Sequence, residues 1–368
     1  MKKLLLATAV AALSVSAAQA APTLYGKAFL TLDYKDLDGK TSAIVNDKGA
    51  RLDNRVYTPD GNGTSLNSTG SRIGIKGGEP LTANTDLVYQ LEYGVKVDDN
   101  ADQFRSRDTY IGLSNKQYGT LVAGRLTTID DQIQYANQAS GGVLGGDDVL
   151  ATVTAPRANN AFAYFSPDYN GMTFMAMYGL DNDQDSNAKY PDIDLGEFAG
   201  HEQYGVGVKY EPANQPFKIG ATYIGAGDAL NTARINGTYD INPTLTVGGQ
   251  YQYTDFDTND NENAFMLSAA YKTATPWTIY GQADMVQNAL GLDGHDKDRF
   301  ILGGKYAFNA RTTGHIYGAY LNVDDAPYTH TTKEQTIQNN KLVDVTYTES
   351  GKTNYDGWGI GTGIEYKF

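Results

Sequence analysis

Apolar and polar side chains alternate with a period of two in segment after segment along this chain, and that pattern narrows the possible folds more than any other feature. From Leu24 onward, Leu24, Gly26, Ala28, Leu30 and Leu32 share one face, while Tyr25, Lys27, Thr31 and Asp33 share the other. After a long polar stretch to about Thr69, a short segment sets Ile73 and Ile75 against Arg72 and Lys76, and ends at Gly77-Gly78-Glu79-Pro80. The third segment sets Leu87, Tyr89, Leu91, Tyr93, Val95 and Val97 against Asp86, Gln90, Glu92 and Lys96. A period of two belongs to strands with one apolar and one polar face. The same reading places strands near 108 to 114, 119 to 126, 158 to 165, 172 to 180, 204 to 210, 217 to 224, 233 to 239, 245 to 253, 264 to 271, 277 to 286, 299 to 306, 312 to 321 and 355 to 368, sixteen in all.

The connections alternate too. Asn84, Ser114 to Gln117, Ser166 to Gly171, Glu211 to Pro216, Asp240 to Thr244, Lys272 to Pro276 and Ala307 to Arg311 sit in or form short turns, and longer loops rich in Asp and Asn lie between them. Short turns on one rim and long loops on the other describe a bacterial outer-membrane barrel with both termini on the periplasmic side. Tyr93, Tyr164, Tyr178, Tyr210, Tyr223, Tyr239, Tyr251, Tyr253, Tyr271, Trp277, Tyr306, Tyr320 and Tyr366 fall at or near strand ends on the apolar face, where amphipathic rings meet a membrane interface. In the last segment Trp358, Ile360, Ile364, Tyr366 and Phe368 share a face, with Gly357, Gly359, Gly361 and Gly363 between them. Closing sixteen antiparallel strands on themselves leaves no open edge in lipid. The expected fold is therefore an all-β, sixteen-stranded antiparallel transmembrane barrel.

Lys2 and Lys3, an apolar run from Leu4 to about Val15 and the small residues ending Ala18-Gln19-Ala20 have the layout of a cleavable secretory signal. The run is shorter than the roughly 20 residues of a spanning helix. Residues 1–20 are thus expected to be a signal peptide and 21–368 a single barrel domain. A mean hydropathy of -0.44 does not oppose a membrane location, because alternation keeps every window of a barrel polar on average. A secreted β-rich adhesin of the same composition remains the alternative from another class.

With no cysteine there is no disulfide framework or thiolate site, and a net charge of -14 argues against a nucleic-acid partner. His201, His295, His315 and His330 are scattered, and no nucleophile can be paired with them from spacing, which weighs against catalysis. Asp181, Asp183, Asp185 and Asp192 imitate the spacing of a calcium loop, but Ser186 stands where its turn needs glycine. No metal or cofactor is expected.

The stretches TLYGKAFLTLDY, SRIGIKGGEPL with LVYQLEYGV, RDTYIGLSNKQYGTLVAGR, RANNAFAYFSPDYNGMTFMAMYGL and the final IGTGIEYKF resemble landmarks of the trimeric general diffusion porins of Gram-negative bacteria, among them those of Neisseria-like and Moraxella-like species. The resemblance runs through nearly the whole chain after the signal. It implies passive diffusion of ions and small hydrophilic solutes through a water-filled channel, a homotrimer, and a third loop folded into each lumen as a constriction. The barrel is expected to sit among outer-membrane lipids, with its acidic loops either bridged by divalent cations to lipopolysaccharide or simply solvated. Tyr366 and Phe368 match the family's signal to the barrel-assembly machinery. The third loop, from about Thr127 to Pro156, reads GGVLGGDDV around Gly141 to Val149 and lacks the PEFGG-like tip usual in the family.

Charged side chains across the eyelet set selectivity in such a pore. Parity places Arg72 and Lys76 on the lumen face, with Lys27, Lys96, Lys209, Lys218 and Arg234. Resemblance adds Arg125 and Arg157, the arginines flanking the third loop. Opposite them the loop offers Asp130, Asp131, Asp147 and Asp148. The expectation is a basic wall facing acidic loop residues, with a transverse field between them. Some lysines are expected to pair with Asp33, Asp86, Glu92 or Asp284 instead. A substrate-selective channel is the alternative within transport.

Overall fold

The computed structural model describes residues 22–46, 55–57, 62–99, 104–139, 141, 144, 151–180, 202–227, 229–256, 260–338 and 341–368. The signal segment, the acidic fourth loop, and Asp147 and Asp148 lie outside them.

Strand β1 runs Thr23–Asn46. Three segments, Arg55–Tyr57, Gly63–Ser68 and Arg72–Pro80, pair antiparallel with 39–41, 30–35 and 23–27 of β1. They are pieces of one interrupted strand, β2. Then follow β3 Thr85–Val95, β4 Phe104–Asn115, β5 Gly119–Thr127, β6 Arg157–Phe165, β7 Met172–Gly179, β8 Gln203–Tyr210 and β9 Phe217–Ala226. The rest are β10 Leu230–Asp240, β11 Leu245–Phe256, β12 Asn261–Lys272, β13 Trp277–Gln287, β14 Lys297–Ala307, β15 Thr312–Gln338 and β16 Lys341–Lys367. Each pairs antiparallel with the next, and β16 returns to β1 with Lys27 opposite Lys367 and Leu30 opposite Ile364. The sixteen strands form a closed barrel.

Closure reaches the last residue. Gly26 N–H donates to the Phe368 carbonyl at 2.9 Å and Phe368 N–H returns the bond at 3.1 Å. The Phe368 ring lies where a β-carbon on Gly26 would stand, so that position admits only glycine without moving the ring. Tyr366 stacks beside it, with ring centroids 6.1 Å apart.

The two faces sort as the alternation requires. Leu24, Leu32, Leu91, Val206, Leu267, Phe300, Ile316 and Ile360 are exposed outward, whereas Thr31, Asp33, Gln90, Glu92, Gln252, Gln282 and Asp284 are buried inward. An apolar band this extensive is a surface made for hydrocarbon. Aromatic pairs edge it at both ends: Trp277 with Tyr306 and Tyr306 with Phe308 near the short turns, and Tyr34 with Trp358 and Tyr204 with Tyr223 at the opposite end.

On the short-turn rim, connections span three to six residues, and asparagine builds several of them. Asn115 Oδ1 accepts the N–H groups of Gln117 and Tyr118, Asn242 Oδ1 those of Thr244 and Leu245, and Asn309 Oδ1 those of Arg311 and Thr312. Such Asx turns mimic a backbone turn.

The opposite rim is less uniform than loop counting implies. Only 227–229 separate β9 from β10 and 257–260 separate β11 from β12, while β15 and β16 continue as a paired ribbon to Gln338 and Lys341. The polar stretch before Thr69 likewise contains two pieces of β2. Strands that leave the membrane keep their backbone pairing but no longer need an apolar face, so alternation marks only their membrane part.

Candidate functional site: the lumen

The described residues of the third loop, 128–139, 141, 144 and 151–156, lie inside the barrel along one wall. The loop begins with a 3-10 turn, Ile129–Ile133, whose Ile129 and Ile133 are fully buried with Val122, Leu126, Met175 and Ile224. Ile133 occupies the space that a side chain at Gly220 on β9 would need. Beyond it, inward polar side chains hold the loop backbone. Asn236 Oδ1 accepts the Ala136 N–H at 3.0 Å, and Gln282 Oε1 accepts those of Gln138 and Ala139 at 2.7 and 3.1 Å. Lys305 Nζ donates to the Gln138 carbonyl at 3.1 Å, and Arg299 to the Leu144 carbonyl at 3.2 Å.

The returning limb is tied as firmly. Glu262 on β12 accepts the N–H and hydroxyl of Thr152, and also the Leu290 N–H from the loop between β13 and β14. Arg234 and Gln252 donate to the Val153 carbonyl at 3.1 and 2.9 Å. Arg234 also pairs with Asp130 at 3.1 Å.

Asp130 therefore departs from the expectation that it faces the arginines across the pore. It is 1% exposed. Thr128 Oγ1 donates to its Oδ1 at 2.6 Å and the Ala155 N–H to its Oδ2 at 2.8 Å. The loop turns back onto the β10 wall, and a buried carboxylate there needs a cation beside it. Arg299 and Asp284 form a second sealed pair at 2.8 Å on the same wall.

The other candidates lie mainly on the wall from β1 to β4 and at the start of β6, beyond the part of β5 and β6 that packs under the loop. Arg72 lies 3.7 Å from Glu92 Oε2, with 35% of its side chain exposed. Lys76 sits over the Tyr25 ring at 5.1 Å, and Tyr25 donates to Glu92 at 3.0 Å. Arg157 pairs with Asp108 at 2.8 Å. Arg125 alternates with Gly124 and the buried Leu126, on the parity of the exposed Leu121, so β5 turns it away from the lumen. Its guanidinium is taken up by the Ser106 carbonyl and the Asn159 side chain. Lys209 and Lys218 share Glu211 beside a short turn, and Lys27 pairs with Glu365 at 3.7 Å.

Asp131 projects from the loop and is open to lumen water. Enclosure by the barrel, followed by the carboxylates of Asp130 and Asp108, pushes it up to about 6, while Arg157 and Arg72 oppose the shift. Access to water softens the enclosure. Among the described residues, Asp131 is the loop carboxylate that senses the bare wall.

Sequence reasoning missed Arg107, Asp108, Arg299 and Glu262, and treated Glu92 only as a partner for lysines. Arg107 donates to Glu92 at 2.6 Å. The signal that hid it is a bulge: Leu91 pairs with Thr109 but Tyr93 with Ser106, so Glu92 alone faces both Arg107 and Asp108 and the period of two breaks there.

Known proteins resemble this chain over the same extent. A family model described as Gram-negative porin matches residues 7–326. The chain belongs to the Gram-negative porin family. This porin is 25% identical over 351 residues to a major outer membrane protein P.IB of Neisseria gonorrhoeae, covering 87% of this chain and 94% of the relative. It is also 25% identical over 374 residues to an outer membrane porin protein of Bordetella pertussis, with the same coverages. Among solved structures, its barrel overlays an anion-selective porin from Comamonas acidovorans with a TM-score of 0.63 at 19% identity, covering 95% of this chain and 99% of that one. It overlays the trimer form of OmpT from Vibrio cholerae with a TM-score of 0.61 at 16% identity and the same coverages. The porin resides in the outer membrane, and its barrel is a water-filled channel for passive diffusion.

Proposed function

We propose that this porin is a general diffusion channel whose eyelet lies between the third loop and the wall formed by β1 to β4 with Arg157 at the start of β6, and that this eyelet favours small anions and zwitterions over cations. One observation carries the reading. The wall left bare by the loop keeps Arg72, Arg107 and Arg157 partly exposed, while the loop's Asp130 is sealed against the far wall. A low-dielectric wall with an excess of one sign of charge focuses field into the lumen and concentrates counter-ions there, and here the cations outnumber Glu92 and Asp108. Lys76 adds to the basic side and Asp131 opposes it across the gap. The anion selectivity of the Comamonas acidovorans porin is consistent with the same lean.

Several further assignments belong to this reading. Residues 1–20 direct export and are removed, leaving 21–368 as the barrel. Three copies assemble into a homotrimer among outer-membrane lipids and lipopolysaccharide. Tyr366 and Phe368 present the assembly machinery with the strand that closes on Gly26. Planar-bilayer recording tests the reading: a reversal potential of chloride sign under a potassium chloride gradient is expected, with insertions in steps of three. A cation sign would overturn the eyelet assignment. Conductance that saturates and is blocked by one solute would favour the substrate-selective alternative.

A further inference from the structure

One carboxylate on the bare wall touches more strands than a simple ion pair needs. Glu92 on β3 is 7% exposed. Its Oε1 accepts the Arg107 Nε–H from β4 at 2.6 Å, and its Oε2 accepts the Tyr25 hydroxyl from β1 at 3.0 Å and lies 3.7 Å from Arg72 Nε on β2. Beyond Arg72, the next cation along the wall is Lys27, its cross-strand neighbour on β1. One negative charge is thus shared by two guanidiniums that retain 35% and 25% of their side-chain surface.

The backbone is shaped for this contact. Opposite Glu92, β4 holds two residues where β3 holds one, and that bulge brings Arg107 and Asp108 to the wall together. Arg107 reaches Glu92, and Asp108 is left for Arg157. Bulges commonly re-aim a side chain in this way.

We propose that Glu92 is a positioning and specificity-determining residue of the channel: it holds Arg72 and Arg107 against the wall, cancels one of their charges, and so limits how strongly the lumen prefers anions. The inference rests on the reading of the bare wall as the basic side of the eyelet. Replacing Glu92 by glutamine removes the charge and keeps an amide oxygen for one donor, so the wall gains one net positive charge at nearly constant volume.

The experiment uses the full-length porin in planar bilayers under a potassium chloride gradient. E92Q is expected to raise the chloride over potassium permeability ratio severalfold with a smaller change in conductance. E92D retains the charge and is expected to stay near wild type. The double variant E92Q/R107Q restores the original wall charge and leaves no unpaired buried ion, so its ratio is expected to return towards wild type; it also serves if E92Q does not fold. A folded E92Q with the wild-type ratio, or a double variant far from it, overturns the inference. R157Q does not touch Glu92 and tests the underlying reading. If R157Q lowers the ratio while E92Q leaves it unmoved, only the role of Glu92 fails; if neither moves it, both fail.

Discussion

Arg234 and Arg299, on the wall covered by the third loop, have no exposed side-chain surface, and each is paired with a carboxylate as buried as itself. Arg72 and Arg157, on the wall left bare, keep 35% and 22% of their side chains open. Both walls are made of inward positions on similar strands, and what separates them is the loop. Where it lies, arginine becomes a fastener for backbone carbonyls and a buried aspartate. Where it does not, arginine keeps its charge in water that solutes share. A count of inward charges therefore overstates the field of the pore.

If that division is right, the two walls answer substitution differently. The largest effect on stability is expected on the covered wall. Arg234→Met strands Asp130 without a cation and should cost about 3–5 kcal/mol, seen as a clear fall in the temperature at which the barrel loses its sheet signal. Adding Asp130→Leu should recover much of that loss, because an apolar pair of similar volume often replaces a buried ion pair without penalty. A single variant that melts like wild type would break the comparison.

Gly220→Val is expected to come next. Its new side chain would collide with Ile133, and overpacking of this kind costs about 1–3 kcal/mol. The loop should shift towards the bare wall, so single-channel conductance should fall as well. Unchanged conductance would mean that the loop does not border the conducting path.

A smaller effect follows from Asp131, which is pushed up to about 6. Its carboxyl is charged above that value and neutral below it. Acidification from pH 7.5 to 5 should therefore remove one negative charge from the lumen and raise the chloride preference. D131N should show the raised preference at both pH values and lose most of the step. The smallest effect is expected outside the membrane, where Lys352 and Asp325 form an exposed pair at 2.8 Å. Lys352→Ala should change stability by less than about 1 kcal/mol and leave selectivity unmoved.

Strand positions were legible because lipid on one side and water on the other impose a period of two, and the structure has a strand at each of the sixteen places. Strand lengths were not, since the paired ribbon to Gln338 and Lys341 runs well past the segments in which the period of two was read. Parity found Arg72, but it lost Arg107 at the bulge opposite Glu92. Resemblance named Arg125 as a lumen arginine, yet alternation along β5 with the inward Leu126 turns it outward. The sealing of Asp130 was invisible because its partner, Arg234, comes from a strand far along the chain, and nothing local in either segment announces the meeting.

The most direct test of the division between the walls is the reversal potential of R72Q/R107Q/R157Q beside wild type, in planar bilayers under the same potassium chloride gradient. Removing the three arginines of the bare wall should abolish the chloride preference, and the acidic groups left behind should carry the potential towards the potassium sign. An unchanged reversal potential in the folded triple variant would contradict the account.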